Sequence, residues 1–228
     1  MYRKKLVSIG MILLMLVFAY QCEESDEDYM GVVFEEEILL SSETATYDLG
    51  DTIYLEVDAT ELNKRNLLND EMLEVQNAAY FINLELLYMD LWDPVSVTDR
   101  FEIILDEGEL NRVSYDDSHA KLDFQFGCPM NEGVFRIGLV MKAAGSYAVC
   151  IYDNVNYREV WYGTEYSCEE GILNNELADM VYYFSDENIH EEIFNEIDPR
   201  YLPYYHETFY YDAIDKNRIT FFKVQKRL

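Results

Sequence analysis

Alternation of apolar and polar positions runs through most of this chain. Thr52 to Val57 shows it cleanly: Ile53, Leu55 and Val57 point one way, and Thr52, Tyr54 and Glu56 the other. Side chains alternate across a strand with period two, so this run predicts a strand with one buried face. Tyr47-Asp48-Leu49-Gly50-Asp51 predicts a turn ahead of it, with Gly50 free to take positive φ. Ala79 to Leu91 predicts a long strand carrying Tyr80, Ile82, Leu84, Leu86 and Tyr88 on one face, ended by Trp92-Asp93-Pro94. Phe101–Leu105, Leu122–Phe126, Val134–Met141 and Tyr147–Tyr152 predict four more, the last two joined across Ala143-Ala144-Gly145. Residues 31–40 bracket a Glu triplet with apolar residues and predict one strand or two short ones. Residues 61–77 are polar without a clear period, which predicts a loop or a short helix. Short strands at this spacing, separated by turn signals, imply a mainly β fold of the sandwich type.

The period changes near residue 170. Leu173, Leu177, Met180, Val181 and Phe184 recur at helical spacing. Ser185 is placed to cap a second helix, with Ile189, Ile193, Phe194 and Ile197 on one face before Pro199. Ile219 to Val224 returns to strand character. The expected organisation is a sandwich over residues 31–168, then a C-terminal helical appendage and a final strand over 169–228, packed on it.

The first residues carry an address. Arg3-Lys4-Lys5 is basic, Leu6 to Tyr20 is a nearly unbroken apolar run, and Gln21-Cys22 leads into Glu23-Glu24-Ser25-Asp26-Glu27-Asp28. A basic segment followed by a short apolar one reads as a secretory signal, and this run falls short of the ~20 apolar residues that span a bilayer. The layout resembles the signal region of Bacteroidota lipoproteins, over about the first tenth of the chain. That resemblance implies residues 1–21 as signal peptide, acylation at Cys22, and residues 22–30 as an acidic tether. It also implies attachment to the outer membrane with display on the cell surface. Gln21 departs from the pattern, because lipoprotein signal peptidase prefers a small residue there. Val17-Phe18-Ala19 offers a competing cut that would make the protein secreted. Gly50-Asp51-Thr52-Ile53-Tyr54-Leu55 resembles the start of the B strand in bacterial immunoglobulin-like domains, which implies an immunoglobulin-like sandwich.

Charge narrows the partners. The chain holds 17 Lys+Arg against 45 Asp+Glu, a net charge of −28. Residues 1–21 hold three basic and no acidic residues, so the mature chain carries 14 against 45, or −31. A field of that sign repels phosphate backbones and excludes nucleic acid as partner. Membrane attachment is then expected through the lipid anchor alone.

The cysteines are Cys22, Cys128, Cys150 and Cys168. Export permits pairing, and Cys150 with Cys168 is the expected disulfide because both flank one predicted hairpin. Such a loop would stabilise by ~3 kcal/mol in the chain-entropy account. Buried thiols are the competing reading, since cysteine packs as a small hydrophobe.

Catalytic motifs are broken or missing. His190-Glu191-Glu192-Ile193-Phe194 starts like the zinc-protease helix H-E-x-x-H, but Phe194 stands where the second imidazole must be. His206-Glu207-Thr208-Phe209-Tyr210 fails the same way. The sequence has no G-x-S-x-G, no G-x-x-x-x-G-K-[ST], no G-x-G-x-x-G and no C-x-x-C. No cofactor or metal is expected. Oxygen-rich Asp116-Asp117 and Ser185-Asp186-Glu187-Asn188 keep a calcium-stabilised structural role open. With 45 acidic residues, a hydrolase of extracellular polymer using a carboxylate pair also stays open.

The aromatics are the functional lead. Tyr201, Tyr204, Tyr205, Phe209, Tyr210 and Tyr211 crowd one short segment with Pro203 and His206. Rigid rings with polar tips bind sugars or proteins, or they pack an appendage onto a sheet. Tyr204, Tyr205 and Tyr210 are the candidate binding aromatics. The expected function is a non-catalytic surface binding or accessory module for an envelope protein or a glycan.

Overall fold

In the computed structural model the alternating runs become strands. Residues 31–41, 44–75, 78–90, 99–115, 119–128, 133–152, 159–162, 176–197 and 207–227 are described. All belong to one unit, Gly31–Leu228. Its strands are β1 (Val33–Leu40), β2 (Thr46–Asp48), β3 (Thr52–Asp58), β4 (Asn63–Arg65), β5 (Met72–Glu74), β6 (Ala79–Tyr88) and β7 (Phe101–Glu107). Then follow β8 (Glu109–Tyr115), β9 (His119–Gly127), β10 (Val134–Met141), β11 (Gly145–Ile151), β12 (Glu159–Tyr162), β13 (Glu176–Phe184) and β14 (Ile219–Gln225). Helices α1 (Glu191–Glu196) and α2 (Glu207–Asp215) lie between the last two strands.

The fold is a mainly β sandwich. The larger layer runs β8–β9–β6–β11–β14–β2, and β12 and β13 continue it from the start of β6 to β1. The smaller layer is β1–β3–β10–β7. β1 serves both: Val33 to Ile38 pair in parallel with β13, then Leu39 and Leu40 pair antiparallel with β3. Inward side chains of the two layers interdigitate. Phe135 of β10 meets Phe124 and Phe126 of β9 at 5.0 and 5.6 Å between ring centroids. Ile53, Leu55 and Val57 are buried as the alternation requires.

The segment after residue 170 corrects the helical expectation. Residues 176–184 form β13, paired with β1 on one side and β12 on the other. Ala178, Met180, Tyr182 and Phe184 point inward and are buried. Met180 and Phe184 are four apart, a spacing that satisfies period two as well as 3.6. The β-branched and aromatic run Val181-Tyr182-Tyr183-Phe184 tips the balance to strand. Residues 169–228 therefore do more than cap the sandwich, because β13 and β14 are members of its larger layer.

Within residues 61–75 a small hairpin forms, β4 with β5, rather than the expected loop or short helix. Its turn residue Asn66 is buried and accepts hydrogen bonds from the N–H groups of Val33 and Leu68, both at 3.1 Å. Asn66 also donates to the Gly31 carbonyl at 3.1 Å. Lys64 on the same hairpin pairs with Glu36, which faces inward between buried Phe34 and Ile38. Burial holds the Glu36 carboxyl above its usual range, against the opposing pull of Lys64.

Candidate functional site

The two layers differ on their outer surfaces. On the larger layer a second apolar cluster forms where α1 and α2 cover the sheet. Leu87, Ala148, Cys150, Ile219 and Phe221 from the strands meet Ile193, Phe194, Tyr210 and Ala213 from the helices. The described helices make their main contacts with β14, away from the smaller layer, where the outward side chains of β3, β10 and β7 are exposed or half-buried and only the bare Gly138 is covered.

Register places a continuous row on that uncovered face. Ile104 of β7 lies beside Gly138 of β10, and Gly138 beside Tyr54 of β3. A side chain at 138 would not fit, because a Cβ there would sit 2.8 Å from Thr52 Cγ2 and 3.0 Å from Tyr54 Cε1. The bare glycine lets the Tyr54 ring rest against the sheet. The Arg136 guanidinium lies 4.6 Å from the Tyr54 ring centroid. Its Nε is 3.5 Å from Glu56 and 3.8 Å from Asp106. The ring is thus held by a cation–π contact, and the cation by two carboxylates. At the next outward row Lys142 holds Glu102 at 2.6 Å and lowers its carboxyl below the usual range. The arrangement is a braced aromatic platform among charged groups.

A second group of polar residues lies on the outer face of the larger layer. Glu85 and Asn83 of β6 face Lys121 and Asp123 of β9 in register, and Glu85, Asn83 and Asp123 are buried. Glu85 Oε1 lies 3.5 Å from His119 Nε2 and 3.9 Å from Lys121 Nζ. The Tyr152 hydroxyl donates to Asp123, and Lys121 Nζ sits 5.0 Å from the Tyr152 ring centroid. Burial, with the Asp123 hydrogen bond and charge, pushes the Tyr152 phenol well up. Each carboxylate has its own cation or hydroxyl, so the group is a charge-compensated seam. Sequence reading passed over it because its signal is faint. Asn83-x-Glu85 and Lys121-x-Asp123 put polar residues at every second position of strands whose other face is apolar.

The sequence-nominated residues separate. Tyr210 is fully buried, 5.4 Å from Phe194 between ring centroids, so it packs the helices onto the sheet and offers no binding tip. This corrects its assignment as a binding aromatic: the helical period of α2 turns it inward and leaves Tyr211 at the surface. Tyr204, Tyr205, Cys22 and Cys168 lie outside the described residues. Cys150 is a buried thiol whose S–H donates to the Ile151 carbonyl at 3.5 Å, and Cys128 is disulfide-bonded. The expected Cys150–Cys168 disulfide is therefore corrected. Cys150 sits near the end of β11 under the helical cover, where the apolar neighbours hold a thiol well.

Asp116-Asp117 also lie outside the described residues. Asp186–Asn188 form a 3-10 turn, in which Asn188 Nδ2 donates to Ser185 Oγ at 2.8 Å and Asp186 Oδ1 accepts from Asn217 Nδ2. Beside the turn a cavity of about 350 Å³ is lined by Asp186, Glu187, Ile189, His190, Ile214 and Asn217 among others. Among the described residues no three His, Cys, Asp or Glu side chains converge as metal ligands.

No protein-family model matches the chain, and no curated protein does. Several solved structures are similar in part. The second type II cohesin module of the adaptor ScaA scaffoldin of Acetivibrio cellulolyticus shares 10% identity, with 66% of this chain and 86% of that one covered, at a TM-score of 0.33. A type II cohesin–X–dockerin complex from the same organism gives 11% identity, 66% and 95% coverage, and a TM-score of 0.33. A non-cellulosomal cohesin of the archaeon Archaeoglobus fulgidus gives 13% identity, 65% and 86% coverage, and a TM-score of 0.25.

Proposed function

We propose that this chain is a non-catalytic binding module held at the cell surface by a lipid on Cys22, and that the outer face of its smaller layer docks a protein partner. The observation that carries the reading is the asymmetry of the two layers. Helices and an internally compensated charge seam occupy the larger layer's outer face. The smaller layer instead presents Tyr54, seated on Gly138 and braced by Arg136. A tyrosine fixed in this way loses little side-chain freedom on binding, which makes it an economical anchor. The signal region supports the address: a short apolar run, Cys22, and an acidic tether long enough to hold a folded module off the membrane.

The test is site-specific photo-cross-linking on intact cells. A photoreactive phenylalanine replaces Tyr54 in one strain and Tyr211, an exposed residue of the helical cover, in another. The expected result is a discrete protein adduct from position 54 and none from position 211. Absence of an adduct from position 54, or equal adducts from both, overturns the reading.

A further inference from the structure

The smaller layer ends at β7, and among the described residues no strand pairs with the outer edge of β7. β8 follows directly through Gly108, at φ +100°, yet it joins β9 of the larger layer. The two layers therefore stand open between β7 and β8. Ile103 of β7 and Leu110 and Val113 of β8 line that opening as partly buried apolar residues, and Leu105 of β7 stands exposed beside them. Leu105 faces inward opposite Ile137, yet it is 40% exposed, and outward Ile104 is 37% exposed.

Native sheets blunt such edges with bulges, inward charges or cover. β8 carries a register shift between Leu110 and Arg112. On β7 the corresponding shift leaves Asp106 as the extra residue, so Phe101 to Leu105 stay in regular register with β10. A regular edge with a row of backbone donors and acceptors is completed by one kind of occupant, another extended backbone.

Charge selects among extended backbones. A second copy would meet β7 about a two-fold axis, antiparallel, and centring on Ile104 would set Glu102 against Asp106. Like charges directly opposite destabilise a strand pair. The chain's own tether is no better, since Glu23 to Asp28 hold five acids and no base. Lys142 answers Glu102 and Arg136 approaches Asp106, but Glu109 adds another carboxylate at the closed end. With −28 on the whole chain, an incoming strand gains from flanking cations.

We infer that the open edge of β7 accepts an extended, cation-flanked segment of a partner protein as an added strand, whose alternate apolar side chains cover Ile103 and Leu105. This deepens the binding-module reading and rests on it for the existence of a partner. The two fail separately, because cross-linking at position 54 probes the face and backbone protection at β7 probes the edge.

The probes are three short synthetic peptides on the purified protein: alternating Val and Thr with Lys at both ends, the same with Glu at both ends, and the Lys peptide with alternate amides N-methylated. Hydrogen–deuterium exchange and fluorescence anisotropy read the outcome. The expected result is protection of Phe101–Leu105 amides by the Lys peptide, with affinity about tenfold above the Glu peptide, the equivalent of 1.4 kcal/mol. N-methylation and Leu105→Lys, an inward charge at an already exposed position, should each abolish the protection. Leu105→Thr, which puts no charge at the same position, should melt like Leu105→Lys and keep the protection, so that loss with Lys but not Thr reports a blocked edge rather than lost packing. Equal binding of the Lys and Glu peptides, indifference to N-methylation, or protection away from β7 each overturns the inference.

Discussion

Replacing Lys64 by Met removes the cation that faces Glu36 on the inner side of β1. The Lys64 side chain is 6% exposed and that of Glu36 14%. Breaking a buried pair by deleting one partner costs about 3–5 kcal/mol, and the residual water access of Glu36 places this site near about 3 kcal/mol at pH 7. For a domain of this size about 2–4 °C accompany each kcal/mol, so the melting temperature should fall by about 6–12 °C. The sign of the pH dependence follows from Glu36. Its folded carboxyl already titrates above the ordinary 4.5, because burial outweighs Lys64. A raised carboxyl contributes stability that is fully present below the unfolded value and is lost as pH rises through the folded one. Removing Lys64 raises the folded value further and widens that window upward. The gap between Lys64→Met and the parent should therefore be small near pH 4 and grow toward pH 8. Urea denaturation across that range, followed by tryptophan fluorescence, measures it. Pairing Lys64→Met with Glu36→Leu should recover most of the loss, since no charge is then left buried. A penalty equal at pH 4 and pH 8, with no recovery in the double variant, would refute the electrostatic account and leave the lost contact of Lys64 Nζ with the Tyr80 ring, 5.7 Å from its centroid.

Other substitutions test other parts of the fold. Tyr210→Ala should cost about 3–5 kcal/mol in thermal unfolding, as emptying an aromatic core position does; a variant that melts like the parent would return Tyr210 to the binding surface. Tyr182→Phe should leave stability within about 1 kcal/mol or raise it, because its buried hydroxyl finds no protein partner among the described residues; a clear loss in calorimetry would count against this. Cys22→Ala should abolish incorporation of labelled palmitate in cells and release the protein from the membrane fraction. Persistent labelling would place the lipid elsewhere.

The strands that could be read from sequence are those whose two faces differ. β3 alternates strictly, and its inward residues Ile53, Leu55 and Val57 are the ones buried. β13 was not legible, because Met180 and Phe184 fit both periods and both its faces are largely apolar. β8 was missed because Glu-Leu-Asn-Arg-Val-Ser-Tyr has too few apolar residues to mark a face. For the candidate site, Tyr54 could be placed on the outward face of its strand, but its seat could not. That seat depends on Gly138, more than eighty residues away in sequence and adjacent only through strand register. Tyr210 misled for a related reason: an aromatic ring marks a packed seam as readily as a binding surface.

The strand shared between layers has a mechanical consequence. The first described residues, Gly31 and Val33, are tied to Asn66, and from there β1 runs in parallel beside β13 before joining β3. A pull entering at residue 31 and resisted at β3 or β10 therefore loads β1 along its own axis. Six register pairs with β13 lie side by side under that load and must slip together. Peeling would break them one at a time at low force; shear of this kind demands a much higher one. A module tethered at this end and gripped on its smaller layer would hold under drag through the strand nearest its tether.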